Sequence, residues 1–141
     1  MPANISPIFS AKGAIQWNPA ALNTANAAKD GTGTVATVFT GQSAGNAAGN
    51  FVQKLVARPL GSNVATVLRV FINNGSANTT AANNTLFAEL SLPATALSEI
   101  SAQPDYVLLL NFALPAGYKV NCTIGTAVAA GFAVSVIGGE Y

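Results

Sequence analysis

From residue 34 to residue 137 one pattern recurs, and it restricts the fold more than any other feature. Runs of seven to eleven residues rich in Val, Ile, Thr, Phe and Leu end in clusters of Gly, Pro, Asn and Ser. Within most runs the apolar residues alternate, the period that sends successive side chains of an extended strand to opposite faces. β-branched and aromatic residues suit a pleated, half-buried surface. No stretch carries a 3.6-residue apolar repeat over the length of a helix. Short strands at this spacing predict an all-β, antiparallel sandwich, jelly-roll-like, or a barrel, of about seven or eight strands.

The predicted strands are Thr34–Thr40, Phe51–Arg58, Val64–Ile72, Leu86–Leu92, Tyr106–Phe112, Tyr118–Ile124 and Ala127–Ile137. In the second, Phe51, Gln53, Leu55 and Ala57 share a face. In the third, Val64, Thr66, Leu68, Val70 and Ile72 do. Tyr106–Phe112 is apolar almost throughout. Tyr118, Val120, Cys122 and Ile124 share one side of the next strand. In the last, Val128, Ala130, Phe132, Val134 and Val136 form a bulky face that suits a core. Ala127, Ala129, Gly131, Ala133, Ser135 and Ile137 form a small one, with a glycine that marks close approach of another backbone. Asn73-Asn74-Gly75 and Pro115-Ala116-Gly117 carry strong turn chemistry.

Residues 1–30 read differently. Pro, Ala and Asn dominate, and Ile5, Ile8, Phe9, Ile15 and Trp17 follow no period. We read 1–30 as an extended arm with a short strand near Ala14–Trp17, and 31–141 as the β domain. The start of the chain has no basic stretch before an apolar run, so no signal peptide is expected. No run reaches the ~20 apolar residues that span a bilayer as a helix.

Charge separates this chain from ordinary domains. It has 6 Lys+Arg, 5 Asp+Glu and no His in 141 residues, so 8% is charged, against about 25% in typical domains. Asn, Thr, Ser and Gln supply 39 residues and Ala 27. A surface coated in amides, hydroxyls and methyls lacks the charge that keeps small domains apart, and this favours association. A net charge of +1 gives no electrostatic footprint for nucleic acid.

Catalysis has little to work with. A Cys–His nucleophile is excluded for want of histidine, and Cys122 reads as a small buried hydrophobe. The carboxylates Asp30, Glu89, Glu99, Asp105 and Glu140 fall mostly at turns and strand ends and read as solvated charges, not as an acid–base pair. No metal-ligand spacing and no phosphate loop occurs; Gly31–Thr34 and Gly41–Gly49 are strand connections. The Asn-x-Ser/Thr triplets at Asn4, Asn74, Asn78, Asn83 and Asn121 follow from an Asn- and Thr-rich chain. Lys54, Arg58 and Arg69 lie on neighbouring predicted strands and read as ordinary surface charges. We expect a non-enzyme with no cofactor, no metal site, no nucleic-acid partner and no membrane partner.

Three phrases go further: LVARPLGSNVATVLRVFINNG (Leu55–Gly75), NNTLFAELSLPAT (Asn83–Thr95) and LPAGYKVNCTIGTAVAAGFAVSVIGGEY (Leu114–Tyr141). In wording and order they resemble a family of small structural proteins of tailed bacteriophages, over roughly residues 31–141. Head decoration, or cement, proteins are similar in broad terms. The resemblance implies a homotrimer on the outside of a phage head, made in the host cytoplasm, with the major capsid protein as partner. The alternatives are another virion part, such as a tail or head-fibre protein, or a carbohydrate-binding β-sandwich. The expected interface residues are Ile5, Ile8, Phe9 and Trp17 in the arm, with Trp17 the chief anchor, and Ala129 and Gly131 on the small face of the last strand.

Overall fold

The computed structural model describes residues 12–43 and 48–141. Eight strands run in the order β1 (Lys12–Trp17), β2 (Ala36–Thr40), β3 (Asn50–Pro59), β4 (Thr66–Asn73), β5 (Asn84–Leu92), β6 (Tyr106–Leu114), β7 (Lys119–Ile124) and β8 (Phe132–Glu140). A single 3-10 turn, Ala81–Asn83, is the helical content of the described residues. The strands form two four-stranded sheets, ordered β1-β8-β3-β6 and β2-β7-β4-β5. Every strand pairing is antiparallel. The chain is all-β and sandwich-like.

One core draws on both sheets. Phe39, Leu68, Leu92 and Ile124 of the second sheet meet Leu55, Leu114, Val136 and Phe132 of the first, all at 0–1% exposure. In β7, Val120, Cys122 and Ile124 face this core, as the alternation predicts. The bulky half of the last strand, Phe132, Val134 and Val136, does so too.

Bulges shift the phase elsewhere. In β3 the register slips between Val52 and Lys54 against both neighbours. Val52, Leu55 and Ala57 therefore all point inward. Phe51 and Gln53 do not share a face with Leu55, contrary to strict alternation. An extra residue in one strand reverses the inside–outside order beyond it. A similar slip between Val70 and Phe71 takes Leu86 of β5 out of phase with Ala88, Leu90 and Leu92.

Two boundaries differ from expectation. β1 pairs along its whole length with β8, from Lys12↔Glu140 to Trp17↔Ser135. Residues 12–30 are thus part of the two-sheet body and not of a separate arm; residues 1–11 lie outside the described residues. The last strand begins at Phe132 and not at Ala127. Gly131 adopts φ +84, in the left-handed region, and a side chain there would meet Ala21 Cβ at 3.0 Å and Leu22 O at 3.2 Å. Extended pairing cannot run through such a residue, so residues 125–131 form the β7–β8 loop.

That loop is fixed by Asn63, which is 5% exposed. Its Oδ1 accepts from the backbone N–H groups of Ala130 and Gly131, both at 2.9 Å, and its Nδ2 donates to Gly131 O at 3.0 Å. The Asn63 backbone also pairs with Thr95. Through its side chain and its backbone, one buried asparagine thus joins the β3–β4, β5–β6 and β7–β8 connections at one end of the molecule, which is how a buried polar group becomes tolerable.

Candidate functional site

The register of the first sheet determines what its outer surface carries. In β1, Ala14 belongs to the core, and the Gln16 amide bonds Thr40 of the other sheet, accepting from its N–H at 2.9 Å and donating to its carbonyl at 3.0 Å. Gln16 therefore points inward, and Ile15 and Trp17 point out. By the same alternation Ser135 and Ile137 of β8, Lys54 and Val56 of β3, and Val107 and Leu109 of β6 point out, since their neighbours Val134, Val136, Leu55, Ala57, Leu108 and Leu110 pack inward.

Cross-strand pairing aligns these residues in two rows. One is Trp17, Ser135, Val56, Val107; the next is Ile15, Ile137, Lys54, Leu109. Directly opposed side chains lie about 5 Å apart on a sheet, so the rows form one continuous apolar surface across all four strands. Trp17 is 62% exposed, Ile15 59%, Val107 46% and Leu109 65%. Lys54 is the one charge within the rows. Beyond them Arg58 and Asp105 form an ion pair.

The sheet thus brings Trp17 together with Ser135 and Ile137 of the small face of the last strand. Gly131 and Ala129 lie elsewhere, in the β7–β8 loop. The close approach foreseen at Gly131 comes from Ala21, Leu22 and Asn23 of the same chain, and Ala129 is exposed at the same end. Ile5, Ile8 and Phe9 fall outside the described residues. Sequence reasoning grouped Ile15 with Trp17 and placed Ile137 on the small face of the last strand, but it missed Val56, Val107 and Leu109. A signal was present: a strand that is apolar on both faces, as Tyr106–Phe112 is, needs cover on both.

Chemically, this surface can exclude water and little else. The ionisable side chains are mostly engaged: Lys12 with Glu140 at 3.1 Å, Arg69 with Glu89 at 2.9 Å, Arg58 with Asp105. Hydrogen bonds from the Thr32 hydroxyl and backbone N–H lower the Asp30 carboxyl below its ordinary value. Burial in the core pushes the Cys122 thiol far up, which makes it a poor nucleophile. Among the described residues, no three His, Cys, Asp or Glu side chains converge as a metal site would require. No described helix is long and apolar enough to cross a membrane. Of the aromatic residues a sugar site would need, Tyr106 and Tyr118 pack against the core, while Trp17 stands on the outer face.

No family model, curated protein or solved structure matches the chain.

Proposed function

We propose that the protein is a non-enzymatic structural protein of a virion, a decoration protein that packs on the outside of a tailed-phage head and stabilises it. The observation that carries this reading is the apolar face of Trp17, Ile15, Ile137, Val56, Val107 and Leu109, which the described residues leave uncovered. Burying such a face yields about 25 cal/mol per Å² removed from water. A component repeated over a shell needs buried area and no turnover. The scarcity of charge points the same way, because a neutral exterior packs closely against neighbours without desolvating ions.

The strand orders β1-β8-β3-β6 and β2-β7-β4-β5 support the jelly-roll reading. They are the arrangement that a folded-over ribbon of strand pairs β1·β8, β2·β7, β3·β6 and β4·β5 produces, and jelly rolls recur in capsid and lectin domains. A fold alone does not decide function. The phrases Leu55–Gly75, Asn83–Thr95 and Leu114–Tyr141, similar to small phage structural proteins, tip the reading toward the virion.

The test is made on purified particles of the source phage. Mass spectrometry should find the chain in fixed copy number, and electron microscopy should place its density on the outer head surface. Heads lacking it should bind added protein saturably and resist heat better once loaded. A protein absent from purified particles would sink the proposal.

A further inference from the structure

We infer that the outer face of the β1-β8-β3-β6 sheet takes a second copy of this chain, sheet against sheet, about a two-fold axis running along the strands between β8 and β3. The inference rests on reading the protein as an assembly component and names the occupant of its bare face.

Area is the first argument. Strands lie about 4.8 Å apart and rise about 3.3 Å per residue, so the six-residue span that β1 shares with the other three strands offers roughly 400 Å² per copy. A pair buries roughly 800 Å² in all, the size of a weak, transient contact. The face therefore suits a reversible, concentration-dependent pairing of two copies. A contiguous apolar patch of this size is often functional.

Shape and charge are the second. An isologous contact must be self-complementary. The axis stated lays β1 of one copy on β6 of the other and β8 on β3. Trp17 then covers Val107 of the second copy, Ile15 covers Leu109, Ser135 covers Val56 and Ile137 covers Lys54. Each apolar side chain except Ile137 meets an apolar one or a small hydroxyl. Ile137 meets the Lys54 stem, whose ammonium reaches the rim as long cationic side chains do on apolar surfaces. With sheets about 10 Å apart, the two Lys54 backbones are roughly 11 Å apart, and the ammonium groups avoid repulsion by staying in solvent at the rim, where salt screens them. The Arg58–Asp105 pair at the edge brings no net charge.

Trp17 is the one tryptophan of the chain and sits in the contact, so the intact protein reports on itself. Sedimentation of the full chain from about 1 µM to about 100 µM, a range of weak association, should show a monomer giving way to twice the 14.2 kDa chain mass. Trp17 emission should shift to the blue, and acrylamide quenching should fall, over the same range. Leu109→Glu places a carboxylate at a solvent-facing position and should weaken the pair at least tenfold without lowering the melting temperature of the dilute protein. Four results overturn the inference: a monomer throughout; a trimer; a dimer as tight in Leu109→Glu as in the parent; and a monomer whose Trp17 is shielded at every concentration, which assigns the cover to the chain's own residues 1–11. A monomer in solution that is found on phage heads removes the pairing and leaves the virion reading standing. A clean dimer never found on particles does the reverse.

Discussion

The two sheets have opposite outer faces. On the β1-β8-β3-β6 sheet, Trp17, Ile15, Val107 and Leu109 stand in solvent. On the β2-β7-β4-β5 sheet, Phe71 is 0% exposed although it lies outside the core cluster and alternates with core-facing Val70. Its outward neighbours Asn73, Asn121 and Thr123 are buried as well. The second sheet is covered by its own loops. Residues 25–35 of the β1–β2 connection form a strap that starts beside Ile124, where the Asn26 N–H donates to the Ile124 carbonyl at 2.8 Å, and reaches β5, where Asn84 Nδ2 donates to Asp30 O at 3.1 Å. The β4–β5 loop joins it there: Asn78 Nδ2 donates to Gly31 O at 3.1 Å and Gly33 O at 2.8 Å.

The contrast shows that polarity does not decide burial in this molecule; cover does. Asparagine amides satisfy backbone carbonyls of the covering strap, which lets the strap lie on a polar face, although the buried Thr123 hydroxyl of that face has no hydrogen-bond partner. Asn73 donates to Asn84 Oδ1 at 2.8 Å, and Asn121 Oδ1 accepts from Thr37 at 2.8 Å. The apolar face of the other sheet has no such strap among the described residues.

The largest expected effect lies under the strap. Phe71→Ala should cost about 3–5 kcal/mol in urea unfolding, as a core Phe does, although Phe71 is not in the inter-sheet core. A loss below about 1 kcal/mol would mean that the strap does not pack on the sheet in solution, and the contrast between faces would collapse.

Next come the residues that hold the strap. Asn84→Ala removes the donor to Asp30 O and Asn78 O and the acceptor of the buried Asn73 amide; it should cost about 1–3 kcal/mol, chiefly for leaving that amide unpaired. Amide exchange in residues 25–35 should quicken while exchange in β3 and β8 stays slow. Gly31→Ala should act in the same place. Its φ is +78 and a Cβ would come within 2.6 Å of Asn84 Cβ, so backbone strain and a collision with a poorly yielding atom add.

Much of this was legible in the sequence. Seven of the eight strands lie within two residues of their expected bounds because turn chemistry and, in most, alternation are local; the last starts five residues late. The core of β4, β7 and β8 followed from the same periodicity. What was not legible is non-local. The bulge at Gln53 depends on two partner strands, and Gly131 left the strand because Ala21–Asn23 and Asn63 occupy the space beside it. The outer-face rows exist only once β1 is laid beside β8, so Trp17 could be singled out while Val107 and Leu109, ninety residues away, could not. Asn63 read as a turn residue because nothing local says that the β7–β8 loop needs its amide.

Stability on the bare face should barely respond. Leu109→Thr puts a β-branched side chain, well suited to a strand, at this position and removes apolar surface that is already wet. At submicromolar concentration, where mass action from self-association is negligible, the change should stay within about 0.5 kcal/mol. Set beside Phe71→Ala, this gives the sharpest form of the comparison: two large apolar residues, each on an outer face, with unfolding costs several-fold apart. Comparable losses would mean that something covers Leu109 in the single chain.

The smallest effect is a dependence on pH confined to the strapped face. Asp30 Oδ1 accepts from the Thr32 N–H at 3.1 Å and from the Thr32 hydroxyl at 2.6 Å. The Thr32 hydroxyl and then its N–H are the main causes of the lowered Asp30 pKa, which lies below the ordinary 3.8. A carboxyl with a folded-state pKa below its unfolded value binds protons more readily when unfolded. Its contribution is complete above the unfolded value and disappears as pH falls through the folded one. The side chain is fully exposed, so solvent screens the interaction and the contribution is small. Between about pH 5 and about pH 2 the parent should therefore lose slightly more stability than Asp30→Asn, which has no charge to lose there. The difference should appear first as faster amide exchange around Thr32 and Gly33, with the protection of Ile15 and Leu109 unchanged. Parallel acid curves for parent and variant would show that the Asp30 turn does not help to hold the strap closed.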